Sequence, residues 1–280
     1  MTVSNSPAGP SPEAGELSPV LVIIPTYNEV ENIERIITRV HASNPQVHVL
    51  VADDNSPDGT GDLADKLAAR DDRVKVMHRA GKQGLGAAYI AGFKWGLEHG
   101  YQLLIEMDAD GSHRPEDLPS LLAALDERGA DLVIGSRYVK GGKIVNWPVS
   151  RQFLSRGGNT YIHLVMGLKV RDVTAGYRVF RRSTLERLGL EAVQSGGYIF
   201  QTDLTRRVNN LGMKIVEVPI TFVEREIGVS KMNRSIMVES LWRATVWGFE
   251  DRIAQLTGKR KKLQQDSQQE QQKQLTQQQG

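Results

Sequence analysis

The 280 residues include no cysteine. That absence excludes a disulfide framework, a thiolate nucleophile, an iron–sulfur cluster and a thiolate zinc site, so any metal must be held by oxygen or imidazole. It also fits a reducing cytoplasm. Nor does any uninterrupted apolar stretch approach ~20 residues, the length a bilayer-spanning helix needs, so the chain is not expected to cross a membrane alone. A charge surplus is missing as well, with 35 Lys and Arg against 33 Asp and Glu. Residues 259–280 hold five basic and two acidic groups and residues 1–18 only two acidic ones, which leaves the body between them at a net +1. Binding a nucleic acid demands a concentrated basic face, so a nucleic-acid partner is not expected. What remains is the composition of a soluble globular protein, 24% charged and 40% hydrophobic, long enough for one large α/β domain or two small ones.

Four segments follow from composition. Residues 1–18 are rich in Ser, Pro, Gly and Glu, lack the basic start and apolar centre of a signal peptide, and read as a disordered leader. Residues 258–280 follow with the basic cluster Lys259, Arg260, Lys261 and Lys262 and then a glutamine-rich stretch, and read as a disordered tail. Residues 232–257 interleave Ile236, Met237, Leu241, Val246, Trp247, Phe249 and Ile253 with charged residues, the pattern of an amphipathic helix. Trp242 and Trp247 suit a headgroup boundary; packing of the same stripe on the sheet is the competing expectation. Residues 19–231 form the body of the chain. There, short apolar runs at 20–24, 47–52, 74–77, 103–107 and 131–135 alternate with helical patterns near 30–40, 84–98, 116–125 and 151–166. Such alternation predicts an α/β protein with a mainly parallel sheet flanked by helices. In such sheets ligands bind beyond the carboxyl ends of the strands.

Polar clusters stand at those ends. Pro25, Thr26, Tyr27, Asn28 and Glu29 follow the first run, and the second is followed by Asp53, Asp54, Asn55, Ser56, Pro57, Asp58, Gly59 and Thr60. Pro, Asn, Asp and Gly are turn formers, and Asn28 could cap the next helix, so turn chemistry accounts for each loop taken singly. After the fourth run come Asp108, Ala109, Asp110, Gly111, Ser112 and His113. Two acids at alternate positions can reach one cation where the backbone turns, and such oxygen ligands suit Mg2+ or Mn2+ with bound phosphates. Gly81, Gly84 and Gly86 with Lys82 match neither a dinucleotide fingerprint nor a Walker loop. Arg137 follows the fifth run, Arg151 and Ser155 lie one turn apart on the next helix, and Arg225 and Lys231 flank Gly228. Planar guanidiniums suit phosphates, although solvated helix faces carry them too.

Taken together, Ile24 through Glu29, Asp53 through Thr60, Lys82-Gln83-Gly84-Leu85-Gly86, Met107 through Asp110 with His113 and Pro115, Gly135-Ser136-Arg137-Tyr138, and Arg225 through Lys231 resemble the family-2 glycosyltransferases of GT-A fold. Within them the resemblance is strongest to the dolichol-phosphate, or polyprenol monophosphate, mannose synthases, over roughly residues 19–235. Many relatives have Leu-Gln or Leu-Ser after Asp-Ala-Asp where this chain has Gly111-Ser112, so the third metal ligand would be the Ser112 hydroxyl in place of an amide. The resemblance implies GDP-mannose as donor, held by Pro25, Tyr27, Glu29, Asp54, Lys82 and Arg137. It implies Mg2+ or Mn2+ on Asp108 and Asp110 against the diphosphate, with Arg225 and Lys231 closing over the donor phosphates on a loop whose Gly228 permits the bend. Arg151 and Ser155 would meet the phosphate of a polyprenyl phosphate acceptor. The resemblance further implies a catalytic unit of the actinobacterial type, lying in the cytoplasm at the inner face of the plasma membrane, on the lipid surface or on a separate membrane-anchoring protein. A UDP-glucose-dependent relative is the nearest rival. A sugar-nucleotide pyrophosphorylase, from another class, would open with a basic glycine-rich loop where Pro25 to Glu29 stand.

Overall fold

The computed structural model describes residues 19–193, 199–225, 234–257 and 265. The expectations for the leader, the tail, Gly228 and Lys231 lie outside the described residues.

Among the described residues the central sheet has seven strands: β1 (Val20–Thr26), β2 (His48–Asp53), β3 (Val74–His78), β4 (Leu103–Glu106), β5 (Leu132–Ser136), β7 (Arg178–Arg181) and β8 (Ile215–Pro219), in the order β3-β2-β1-β4-β7-β5-β8. β1 owes its central place to an unbroken run in which Leu21, Val22, Ile23 and Ile24 are all fully buried, as a strand covered on both faces requires. Alternate side chains serve opposite layers. Leu21 and Ile23 join Tyr89, Phe93, Leu104 and Phe180 in one core, whereas Val22 and Ile24 join Ile33, Ile36, Val49 and Leu121 in the other. Helices α1 (Val30–Ser43), α2 (Thr60–Ala68) and α4 (Leu118–Glu127) supply or abut the second layer, and α3 (Leu85–Glu98) closes the first. α3 approaches the sheet closely because Gly92 and Gly96 carry no side chain. A Cβ there would stand 2.6 Å from Ile23 and 2.5 Å from Leu104.

The sheet is parallel except at β7, which runs antiparallel to both β4 and β5. Its register sets Glu106 opposite Arg178. A second, parallel ribbon of β6 (Lys143–Val145) and β9 (Thr221–Val223) was not expected from the sequence, because two three-residue strands carry no readable period. Helices α5 (Val149–Met166), α6 (Arg182–Leu188), α7 (Ile199–Asn210) and α8 (Arg234–Leu256) complete the molecule. α8 lies on α5, where Tyr161 Oη and Thr245 Oγ1 are 2.7 Å apart. Its Asp251 accepts from Arg206 of α7 at 2.8 and 2.9 Å. Trp247 therefore faces the body, with the Arg206 guanidinium 5.2 Å from its ring centroid, and only Trp242 of the expected boundary pair points outward.

Candidate active site

The loops after β1 and β2 hold each other. Backbone N–H groups of Asn28, Glu29 and Val30 donate to Ser56 Oγ (3.1 Å), Thr60 Oγ1 (3.0 Å) and Asp58 Oδ2 (3.2 Å). These are the orphan donors at the start of α1, so the second loop caps the helix that the first loop begins. Asn28 is thus not the cap. It turns the chain with φ of 61°, a conformation asparagine tolerates. Tyr27 and Glu29 emerge from this pair of loops, and Lys82 Nζ sits 4.2 Å above the Tyr27 ring. Asp54 is nearly buried and ion-paired with Arg79, whose other nitrogen donates to Gln83 Oε1 at 3.1 Å. Pro25, Tyr27, Glu29, Asp54 and Lys82 are consequently brought to one edge of the sheet.

The acidic pair follows β4. Tyr89 Oη donates to Asp108 Oδ1 at 3.1 Å, and the Asp108 backbone N–H donates to His113 Nδ1 at 3.1 Å. His113 is itself fixed, stacked on Tyr177 at 5.2 Å and edge-on to Phe222 at 5.6 Å. Asp110 Oδ1 accepts from the Ser112 backbone N–H at 3.0 Å, and Gly111 turns the chain between them with φ of 76°. Burial pushes the Asp108 carboxyl above its ordinary range, Asp110 pushes the same way, and His113 opposes them. A cation shared by the two acids would relieve both costs. The described residue that answers Asp110 now is Arg225, with Nη2 3.4 Å from Oδ2. Among the described residues no three His, Asp or Glu side chains converge on one metal position. The pair fits a hard divalent ion that takes its remaining oxygens from water and from substrate phosphates. Ser112 meets Asp110 through its main chain.

Beyond β5 an aromatic floor carries three guanidiniums. Arg137 is held in a fork by Asp172, Nε at 2.7 Å and Nη2 at 2.6 Å, and is nearly buried. Asn159 and Thr174 extend that network. Arg137, expected at the donor, is ion-paired with Asp172 in this network. Arg151 lies 4.0 Å from the Trp147 ring centroid and binds Glu224 through Nη1 at 2.6 and 2.8 Å. Arg156, one residue past Ser155, lies 5.6 Å from the Tyr138 ring centroid, and Tyr138 Oη donates to Ser155 Oγ at 2.6 Å. Arg151 and Ser155 thus share one surface. Sequence reasoning missed Tyr89, Arg79, Asp172, Arg156 and Glu224. Of these only Arg156 stood beside a residue already singled out, directly after Ser155 on the helix that carries Arg151.

A mostly parallel sheet flanked by helices, with an acidic pair beyond the carboxyl end of β4, is the architecture of the GT-A glycosyltransferases. Residues 21–189 match the model of "Glycosyl transferase family 2", and the chain belongs to that family. Polyprenol monophosphomannose synthase of Mycolicibacterium smegmatis is 59% identical over 239 residues, which span 85% of this chain and 90% of that one. Undecaprenyl-phosphate mannosyltransferase of Micrococcus luteus is 57% identical over 230 residues, 82% of this chain and 94% of the relative. Among solved structures, a mannosyltransferase from Pyrobaculum calidifontis in complex with GDP-Man and Mn2+ has a TM-score of 0.54 at 19% identity, covering 89% of this chain and 68% of its own. Glucosyl-3-phosphoglycerate synthase from Mycobacterium tuberculosis reaches 0.60 at 17% identity, covering 81% and 80%. These structures share the fold.

Proposed function

We propose that the chain transfers mannose from GDP-mannose to a polyprenyl phosphate with inversion, giving polyprenyl monophosphomannose and GDP. The observation that carries this reading is the identity of 59% and 57%, over most of both chains, to two relatives named for mannosyl transfer to polyprenyl phosphates. The site's chemistry supports it. A phosphate monoester has a second pKa near 6, so at neutral pH its oxygen is already anionic and attacks the anomeric carbon without surrendering a proton. The bond from that carbon to the diphosphate oxygen breaks as the new one forms. What the protein must supply is countercharge and position. Arg151 and Ser155 hold the acceptor phosphate; Pro25, Tyr27, Glu29, Asp54 and Lys82 hold the nucleotide; Arg225, and Lys231 beyond the described residues, face the donor phosphates. Asp108 and Asp110 would hold Mg2+ or Mn2+, which neutralises the departing diphosphate. Arg137 supports the wall from behind.

The acceptor's lipid chain places the work at a membrane surface, on the cytoplasmic side where a nucleotide sugar is available. No described helix is long and apolar enough to cross a bilayer. Instead, eleven of the thirteen exposed large apolar side chains among the described residues belong to α5 and α8, including Phe153, Leu164, Trp242 and Phe249. That pair of helices is suited to lie in the headgroup layer or against a membrane-anchoring protein.

Incubation with radiolabelled GDP-mannose or UDP-glucose and a polyprenyl phosphate, with Mg2+, Mn2+ or chelator, tests the reading. Labelled lipid is expected from GDP-mannose only and is lost with chelator. Preference for UDP-glucose would reassign the donor. Asp108→Asn and Asp110→Asn should each abolish transfer; if both retain more than about a tenth of the rate, a barrier change under ~1.4 kcal/mol, the metal site is withdrawn.

A further inference from the structure

Glu224 directly follows β9, and its backbone N–H donates to the Val145 carbonyl at 3.0 Å. Both its carboxylate oxygens reach one nitrogen of Arg151, 73 residues away, and the pair is only a quarter exposed on either side. The face of Trp147 lies against the same guanidinium, so Arg151 is fixed between a ring and a carboxylate. Around this aromatic floor, Arg137 is likewise held by Asp172, whereas Arg156 makes no ion pair among the described residues. Of three neighbouring guanidiniums, the one assigned to the acceptor phosphate is therefore already occupied by an internal anion.

We infer that Glu224 is a specificity-determining gate: it holds Arg151 until a dianionic phosphate monoester displaces it, and so rejects monoanionic headgroups. The inference rests on the assignment of Arg151 to the acceptor phosphate. A carboxylate and a phosphate offer the same pair of oxygens to a guanidinium. Exchange of Glu224 for a phosphodiester replaces one negative charge by another and gains nothing. A phosphate monoester brings a second charge into a field shaped by Arg151, Arg156 and Arg137, with Asp172 the only other described carboxylate paired there, and this gain offsets release of the internal pair. The distinction matters at a bilayer, where phosphodiester headgroups vastly outnumber the acceptor. Arg156, exposed and without such a partner among the described residues, is positioned to meet the incoming phosphate first.

Calorimetric binding of geranyl phosphate and of its methyl diester to the full chain, between pH 5 and 8, tests this. The unaltered protein should favour the monoester strongly and lose affinity for it as the pH falls below its second pKa near 6. In Glu224→Gln the diester should bind roughly tenfold tighter, the monoester preference should shrink by a similar factor, and the pH dependence should flatten. Glu224→Asp, which keeps the charge, should retain both the preference and the pH profile. Unchanged preference and pH profile in Glu224→Gln overturns the gate, as does equal weakening of both ligands, which would make Glu224 a structural support. Arg151→Ala separates the two layers. If it binds geranyl phosphate as well as the unaltered protein does, the acceptor assignment itself fails. If it loses that binding while Glu224→Gln behaves normally, only the gate is lost.

Discussion

Arg178 is fully buried and directs its donors away from the carboxylate opposite it. Nε donates to Ala175 O (2.7 Å), Nη2 to Val173 O (2.6 Å), and Nη1 to Gln201 O and Thr205 Oγ1 (both 3.0 Å). The arginine thereby ties the 173–175 segment, next to Asp172 and Thr174, to α7. Glu106, two residues before Asp108, is left with Coulomb attraction alone. Its nearest approach to Arg178 is 3.8 Å, and the Gln201 amide beside it falls outside hydrogen-bond geometry, so neither oxygen has a donor. Burial pushes the Glu106 carboxyl up to about 8 despite Arg178, and the same burial lowers Arg178 to about 10. A folded-state pKa raised above the unfolded value stabilises most below the unfolded value and is lost as pH rises. Glu106 should therefore withdraw stability between about pH 4.5 and pH 8, with a slope approaching ~1.4 kcal/mol per pH unit. Denaturant titrations of the wild type and Glu106→Gln across pH 5–9 should diverge on this limb, the variant losing less. Parallel curves would mean that Glu106 does not titrate there.

At the scale of elements, the join between α5 and α8 is the least forgiving contact. A Cβ on Gly248 would stand 2.4 Å from the Val165 carbonyl oxygen and 2.8 Å from its Cγ1. Backbone cannot yield as a side-chain tip can, so Gly248→Val should push α8 off α5 at about 1–3 kcal/mol. Hydrogen exchange should then quicken in α8, at the Arg206–Asp251 contact and nowhere in β1 or β2. Spread of the exchange into the sheet would show instead that α8 is integral to the core. The helix as such was legible from its stripe, and the parallel strands from unbroken runs such as Leu21 to Ile24, because burial on both faces permits no polar alternation. Asp108 and Asp110 were legible for a related reason: parallel strands point their polar successors to one edge. The antiparallel insertion of β7 was not, and it delivers Asp172 and Arg178 to that edge from the opposite chain direction. Nor can local pattern reveal whether a guanidinium is available. Arg137 and Arg151 are each held by a carboxylate, Asp172 and Glu224, that lies 35 and 73 residues away.

Across the whole molecule, polar chemistry gathers at the carboxyl edge of the sheet while apolar exposure gathers on α5 and α8. α5 belongs to both regions. Arg151 and Ser155 sit in its first two turns beside the site, and Phe153 and Leu154, between them in sequence, are 76% and 52% exposed. On the proposed reading, a helix that met the acceptor phosphate on one face and carried bulky apolar side chains on the other would suit a substrate whose phosphate must leave the headgroup layer while its chain stays behind. α8 widens the platform with Trp242, Phe249 and Ile253. The basic run from Lys259 to Lys262 follows it in sequence, and each such charge adds about 1 kcal/mol at an anionic surface. A chain ending at residue 230 should lose liposome association, whereas one ending at residue 258 should keep part of it and lose most of its salt sensitivity. Phe153→Ser with Trp242→Ser should also reduce vesicle binding, without altering GDP-mannose affinity, because neither side chain is buried. If the truncated chains float with anionic vesicles as the full chain does, the platform takes no part in binding lipid. If the full chain fails to float, α5 and α8 instead cover a partner protein, and recruitment to the acceptor depends on that partner.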